Sequence, residues 1–480
     1  MLIPKANFLI AVFLSQFFTL SAQSKKPNIV LVIVDQLRAQ SVGFNGNKDV
    51  FTPNLDELAT VSVNIKNAVS CMPVCAPFRA SLITGMYPNT NGVFMNDVML
   101  DTTLTTLAKV YKFNDYSTGF IGKWHIDGHG RSSFIPEGRR QGFEYWKALE
   151  CTHDYTHSPY YEGNSPAKLY WDGYDAIAQS NDACNFIVNH ANNKNPFLLI
   201  VSLGPPHDPY GTAPEKYKAL YANKKISVAE NVPIEIRENI EQNLKNYYSH
   251  ISALDDCIGK IWQTLKASVI DENTIFVFTA DHGDMMGAHG YKDKQQPYNE
   301  SIKVPFLIHW PALFKVGKIS NVLLNSPDIM PTLLGFTNIT IPSSVQGIDL
   351  SKILQGKKKD NINATLISCM QPFGQWNRKV GGKEYRGVVT KQYTYVKDLN
   401  GPWLLFNNVK DPLQINNLIN KPEYALIQTK LENKLSLQLK ATNDTLKSGL
   451  EYVKKWGYVI DSSETVPYQK FNYQGKPIVE

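Results

Sequence analysis

Hydrophobic positions along the chain follow two periods. The runs Asn28 to Val34 (N-I-V-L-V-I-V), Pro196 to Leu203 and Thr274 to Thr279 (T-I-F-V-F-T) are almost continuously apolar and rich in β-branched residues. They have no polar face, as expected of central strands in a parallel sheet covered on both sides. Thr118 to Ile121 predicts a shorter strand, and the segment ending at Ala68 another. Between these runs the spacing turns helical. Asp175 to Asn192 carries Ile177, Cys184, Ile187 and Val188 on one side, and Pro233 to Ser268 reads as a long helix or a broken pair marked by Tyr247, Ile251, Leu254, Ile258 and Ile261. Thr52 and Pro53 open a short helix, cap first and proline in the first turn. Beyond a charged linker at 357–360, Tyr385 to Val396 alternates in strand fashion.

Chemistry collects where the apolar runs stop. Asp35-Gln36 follows the first run, and in open α/β sheets ligands sit at that end of the strands. A carboxylate there is costly unless it is paired, binds a metal or caps a helix. Gly122-Lys123-Trp124-His125 follows the Thr118 strand. Alternation puts Lys123 and His125 on one side if the chain stays extended, so that a cation for an oxyanion and an imidazole for proton transfer point together. His207 lies in the proline-rich turn Gly204 to Pro209, and Asp281-His282-Gly283-Asp284 follows Ala280, with Lys294 twelve residues past His282. Asp-His beside glycine suits a metal site, the plainer alternative being a helix-cap aspartate. Residues 128–166 are rich in Gly, Ser, His and Tyr and include Cys151, His153 and His157 at spacings that fit no standard zinc pattern. The aromatics there suit either a sugar-binding wall or ordinary surface packing, and His153, Trp376 and Arg386 are the substrate-binding candidates outside the motifs.

Composition narrows the class without naming a chemistry. The chain has 480 residues, 43% hydrophobic and 19% charged, with a net charge of +6 spread along its length, so no basic stripe for nucleic acid is visible. Met1 to Ala22 has Lys5, an apolar run from Phe8 to Leu20 and Ser21-Ala22, the make-up of a signal peptide ending near residue 22. It predicts export to the periplasm or medium without stable membrane insertion. Six scattered cysteines, Cys71, Cys75, Cys151, Cys184, Cys257 and Cys369, do not form a disulfide scaffold.

Ser70 to Gly85 reads S-C-M-P-V-C-A-P-F-R-A-S-L-I-T-G. Cys75-x-Pro77-x-Arg79 followed by Leu82-x-Thr84-Gly85 resembles the signature of the type I sulfatases of the alkaline phosphatase superfamily, in which the cysteine is oxidised to formylglycine by a maturation enzyme. The other motifs occur in that family's order over nearly the whole chain after the leader. The resemblance implies an α/β fold with a large, mostly parallel sheet flanked by helices (residues 27–356) and a smaller C-terminal α+β subdomain with an antiparallel sheet and a packing helix (361–480). It implies one Ca²⁺, or Mg²⁺, held by Asp35, Gln36, Asp281, His282 and the modified residue 75. Arg79 would hold that residue, while Lys123, His207 and Lys294 would cradle the sulfate. A hydroxyl of the hydrated aldehyde would attack sulfur, and His125 would take the proton from the second hydroxyl as sulfate leaves. The implied substrate is a sulfated carbohydrate, similar to those of secreted polysaccharide sulfatases. Phe78 departs from the family at a position where Ser is commonest, as do Gln36 where Asp occurs and Lys303 where Arg is more usual. The rival readings are a phosphonate or phosphate ester hydrolase on the same fold and a non-catalytic glycan-binding relative.

Overall fold

The computed structural model describes residues 26–478. The expected leader, residues 1–22, lies outside them. The apolar runs become the middle of a ten-stranded sheet. Its strands are β1 (Asn28–Val34), β2 (Val63–Val69), β3 (Ser117–Lys123), β4 (Tyr145–Leu149), β5 (Pro159–Glu162), β6 (Leu169–Tyr170), β7 (Phe197–Leu203), β8 (Thr274–Ala280), β9 (Phe306–His309) and β10 (Lys318–Asn325). They lie in the order β10-β2-β9-β8-β1-β7-β3-β4-β5-β6. From β8 through β1, β7 and β3 to β4 the pairing is parallel, whereas β9 runs antiparallel to both its neighbours.

Every residue of β1, β7 and β8 is buried. Their lack of a polar face is the reason, because helices cover both sides of the sheet. The helix Asp175–His190 packs against the 31-residue helix Arg237–Ala267, which a 3₁₀ turn at Ile234–Ile236 precedes. The long segment thus folds as one helix with a tight first turn. The short helix predicted from Thr52-Pro53 is Pro53–Thr60, its Asn54 and Leu55 N–H groups donating to Asp255 of the long helix. A second, four-stranded antiparallel sheet has the order β11 (Thr365–Cys369), β12 (Tyr385–Val389), β13 (Tyr393–Asp398), β14 (Gly401–Asn407). It packs against the helix Ala425–Ala441 and meets the large sheet beside β10.

Parallel strands end together, so the segments after β1, β3, β7 and β8 meet on one rim. That rim receives Asp35, Lys123, the His207 turn and Asp281. No helix among the described residues is long and apolar enough to cross a membrane. All six cysteines are buried and free.

Candidate active site

Cys75 is the first residue of the helix Cys75–Thr84, whose ten residues are all buried. Val74 before it is extended, Pro77 falls in the first turn where its missing N–H costs nothing, and Gly85 closes the helix in the left-handed region at φ 66°. The helix therefore begins under the rim with Cys75 Sγ aimed at the strand ends. Phe78, the departure from the signature, faces the hydrophobic core at 1% exposure.

Around Sγ stand His282 Nε2 at 3.2 Å, Lys294 Nζ at 3.3 Å, Asp35 Oδ1 at 3.5 Å and Lys123 Nζ at 3.8 Å. Asp35, Cys75, Asp281 and His282 bring one ligand atom each to within 4.8 Å of one another, all buried. Their donor chemistry fits a cation. His282 Nδ1–H donates to the Gly283 carbonyl at 2.8 Å, which leaves the Nε2 lone pair facing the two carboxylates at 3.5 and 3.6 Å. The close turn depends on Gly283, where a Cβ would meet the Glu300 carbonyl oxygen at 1.9 Å. Gln36, also expected as a ligand, adjoins this group at a backbone φ of 64°. Its Oε1 accepts from Lys294 at 2.9 Å, and its Nε2 donates to Asp284 at 2.9 Å.

The charges are locked in place. Arg79 bridges the carboxylates, Nη2 donating to Asp35 at 3.2 Å and to Asp281 at 3.1 Å, while Nη1 donates to the Lys123 carbonyl and Ser202 Oγ. Lys123 Nζ pairs with Asp35 at 2.6 Å. Burial alone would raise the Asp35 carboxyl, but the Lys123, Lys294 and Arg79 charges hold it well below the usual carboxylate range. Three buried cations, Arg79, Lys123 and Lys294, stand against the buried carboxylates Asp35, Asp281 and, beyond Gln36, Asp284, so the carboxylates are already compensated before any metal binds. Lys294 donates to Gln36, Cys75 and His207 Nε2, the last at 2.7 Å, which accounts for all three of its protons. His207 donates from Nδ1 to the Asp208 carbonyl at 2.9 Å. Its burial and the Lys294 charge push its pKa down to about 4, so the ring is a neutral acceptor that positions Lys294.

The residues the sequence set apart thus converge on one buried centre. The Sulfatase family model matches residues 27–339. The chain belongs to the sulfatase family. A second model, N-sulphoglucosamine sulphohydrolase, C-terminal, matches residues 287–441. An ulvan-active sulfatase of Formosa agariphila is 43% identical over 454 residues, covering 93% of this chain and 88% of its own. An endo-4-O-sulfatase of Bacteroides thetaiotaomicron is 30% identical over 457 residues, covering 82% and 88%. A solved structure from work on how B. thetaiotaomicron metabolises multiple glycosaminoglycans is 26% identical at a TM-score of 0.80, covering 92% of this chain and 100% of that one. The protein is accordingly an enzyme that hydrolyses sulfate esters.

In this sulfatase the path from Lys123 to His125 is not extended. Gly122 has φ 101° and His125 φ 60°. A Cβ on Gly122 would meet the Ser202 carbonyl oxygen at 2.1 Å, so the kink needs glycine. Lys123 and His125 still line one cavity, of about 640 Å³, with Cys75, His207 and Lys294. His125 is 1% exposed, and neither ring nitrogen has a hydrogen-bond partner among the described residues. Its Nε2 lies 3.5 Å from Asp97 Oδ1, and the ring's pKa is raised: Cys151, Asp97 and Cys75 outweigh burial and the Lys123 charge. An unpartnered buried imidazole facing the cavity is poised to exchange a proton with whatever binds there.

The outlying candidates divide. His153 lines the cavity and stacks on His207, ring centroids 4.5 Å apart. Trp376 and Arg386 do not reach it. Trp376 is buried against Tyr385, although its neighbours Gly374 and Gln375 line the cavity. Arg386 has no exposure; it pairs with Asp444 and donates to the carbonyls of Cys369 and Tyr385, tying the small sheet to the C-terminal segment. Sequence reasoning also missed several residues. Asn96 Oδ1 accepts from Ala76 N–H at 3.1 Å, and Asp97 faces His125. Ser202 binds Arg79, and the segment 461–471 supplies the far wall of the cavity. Asn96-Asp97 belongs to no motif read from the sequence, and 461–471 has no periodicity that would mark it.

Proposed function

We propose that this sulfatase removes a sulfate ester from a sulfated glycan, with Cys75 converted to formylglycine and one divalent cation, Ca²⁺ in the first instance, held by Asp35, Gln36, Asp281 and His282. The observation that carries this reading is the surrounding of Cys75 Sγ: two ammonium groups, an imidazole lone pair and a carboxylate oxygen within 3.8 Å at the floor of a cavity. Such a shell suits an oxygen nucleophile and a bound anion better than a free thiol. When bound, the cation supplies charge withdrawal from the sulfate, and the hydrated aldehyde supplies an attacking hydroxyl with a second one to release it.

The chain's own residues do the rest. Arg79 fixes the two carboxylates edge to edge. Lys123 and Lys294 neutralise the charge on the non-bridging sulfate oxygens, and His207 keeps Lys294 oriented. His125 takes the proton on its imidazole, and Asp97 stabilises the charged ring. The glycan substrate is supported by the ulvan-active relative and by a cavity far larger than a sulfate group. The first 22 residues support export, which would bring the enzyme to an extracellular polysaccharide. Maturation by a formylglycine-generating enzyme would have to precede this and to tolerate Phe78.

The test is hydrolysis of 4-nitrophenyl sulfate, its phosphate analogue and a panel of sulfated oligosaccharides by protein matured in a competent host. Sulfate release from an oligosaccharide at higher kcat/KM than phosphate release is expected. Faster phosphate turnover would overturn the reading.

A further inference from the structure

A second cavity, of about 900 Å³, adjoins the first. The two share Arg131, Tyr468 and Gln469, so a ligand leaving the catalytic cavity passes Arg131 to enter its neighbour. Arg131 lies under the Tyr468 ring, its guanidinium carbon 3.6 Å from the centroid. Arg131 and Arg139 are mounted alike. Arg131 donates Nε and Nη2 to Asp97, both at 2.8 Å, and Arg139 donates Nε and Nη2 to Asp127 at 2.7 and 3.1 Å. Both carboxylates are buried, while the arginines keep 22% and 27% of their side-chain surface exposed. Each guanidinium is therefore rigid on one edge, and on the other its Nη1 has no hydrogen-bond partner among the described residues. Lys168, exposed and without a partner there, adds a net positive charge to the same cavity. A guanidinium clamped by a buried carboxylate and open on its other edge loses little entropy on binding an anion.

We propose that this second cavity is a subsite for the sugar next to the one being desulfated, and that Arg139, with Arg131 at the boundary and Lys168, binds an anionic group on that sugar. The preferred substrate is then an oligosaccharide with an anion on each of two adjacent residues. The inference rests on the sulfatase reading and adds to it the class of the neighbouring sugar. A carboxylate and a second sulfate offer the same oxygen acceptors, and the test separates them.

The experiment compares the wild type with Arg139→Gln and Ser132→Trp. The first removes the clamped cation; the second fills the cavity from an exposed position that touches neither buried carboxylate. Substrates are 4-nitrophenyl sulfate, which fills only the first cavity, and the fastest-cleaved member of a set of ulvan, chondroitin and carrageenan oligosaccharides, native and with its carboxylates chemically reduced. Both variants are expected to raise KM for the native oligosaccharide at least tenfold while kcat/KM for the aryl sulfate stays within twofold. Carboxyl reduction mimics the variants if the second anion is a carboxylate. If it is a sulfate, the reduced oligosaccharide behaves as the native one does. Equal losses on both substrates, no loss on either, or turnover of the aryl sulfate alone would overturn the subsite. A wild type that cleaves no sulfate ester would instead overturn the reading beneath it.

Discussion

Asp35 and Asp175 are both buried aspartates, one at the end of a strand and one at the start of a helix, and they titrate in opposite directions. Burial pushes Asp175 up to about 8, with only Ser158 and a backbone N–H opposing it. Burial acts on Asp35 too, yet Lys123, Lys294 and Arg79 drive it well below its ordinary value. The difference shows what the catalytic centre is built to do. A buried carboxyl without a cation beside it stays neutral; on the rim of β1, β3, β7 and β8 it is held charged by cations that the fold carries at its own cost in desolvation. That cost is intelligible if the centre exists to hold a metal and an anion. A second contrast lies along the cavity, between this closed rim and the half-exposed wall formed by 461–471 and by the Arg131 loop. The rim concentrates fully buried charge, and the wall carries clamped cations that stay partly exposed.

The strongest attempt to break the contrast is Cys75→Ala. It should lower kcat on any sulfate ester by on the order of 10⁴-fold or more, with the fold intact by circular dichroism. Lys294→Ala should come next at about 10²–10³-fold in kcat, because its three acceptors lose a positioned donor and the sulfate loses an adjacent positive charge. Arg386→Ala probes a buried cation outside the centre. It should lower unfolding stability by about 3–5 kcal/mol, by leaving Asp444 unpaired, while KM for a small aryl sulfate is unchanged. An altered KM with normal stability would mean that the small sheet acts on substrate after all. On the wall, Tyr468→Ala should raise KM for an oligosaccharide by about 3–10-fold through loss of the face that orders Arg131, leaving kcat near its original value.

The smallest effect sharpens the first contrast. Asp175 in the folded protein keeps its proton between its unfolded pKa, about 4, and about 8, where the unfolded chain has lost it. Its contribution to stability therefore declines as pH rises through that window and levels off above it. Asp175→Asn has no such proton to lose. Its melting temperature should gain on the wild type by a few degrees between pH 5 and pH 8 in thermal scans, the shift that a difference of about 3–4 kcal/mol produces in a chain of this length.

The centre was legible in the sequence for a geometric reason. Asp35, Lys123, His207 and Asp281 stand at or just past the ends of strands whose buried runs are recognisable without a structure, and parallel strands bring their carboxyl ends to one rim. Cys75 stood out because Pro77, Arg79, Thr84 and Gly85 beside it resemble the signature of the sulfatase family. The sequence did not show the kink at Gly122 and His125, because alternation assumes an extended chain, and a positive φ on histidine breaks that assumption. The burial of Trp376 and Arg386 away from the cavity was not legible, because an aromatic and a cation after a charged linker resemble a surface. The partner that buries Arg386, Asp444, is 58 residues away and carries no local signal. The wall was illegible throughout. It is loop against loop, Arg131 against Tyr468, and long-range pairing between irregular segments leaves no period to read.

One measurement bears on the central claim most directly. The tryptic peptide 67–79, from enzyme matured in a competent host, should show by mass spectrometry an aldehyde in place of the Cys75 thiol. Across preparations the aldehyde fraction should rise in proportion to kcat for sulfate-ester hydrolysis, and activity should disappear when a chelator removes the cation and return with Ca²⁺. Full activity in protein whose peptide carries only thiol, or activity indifferent to chelation, would contradict the account.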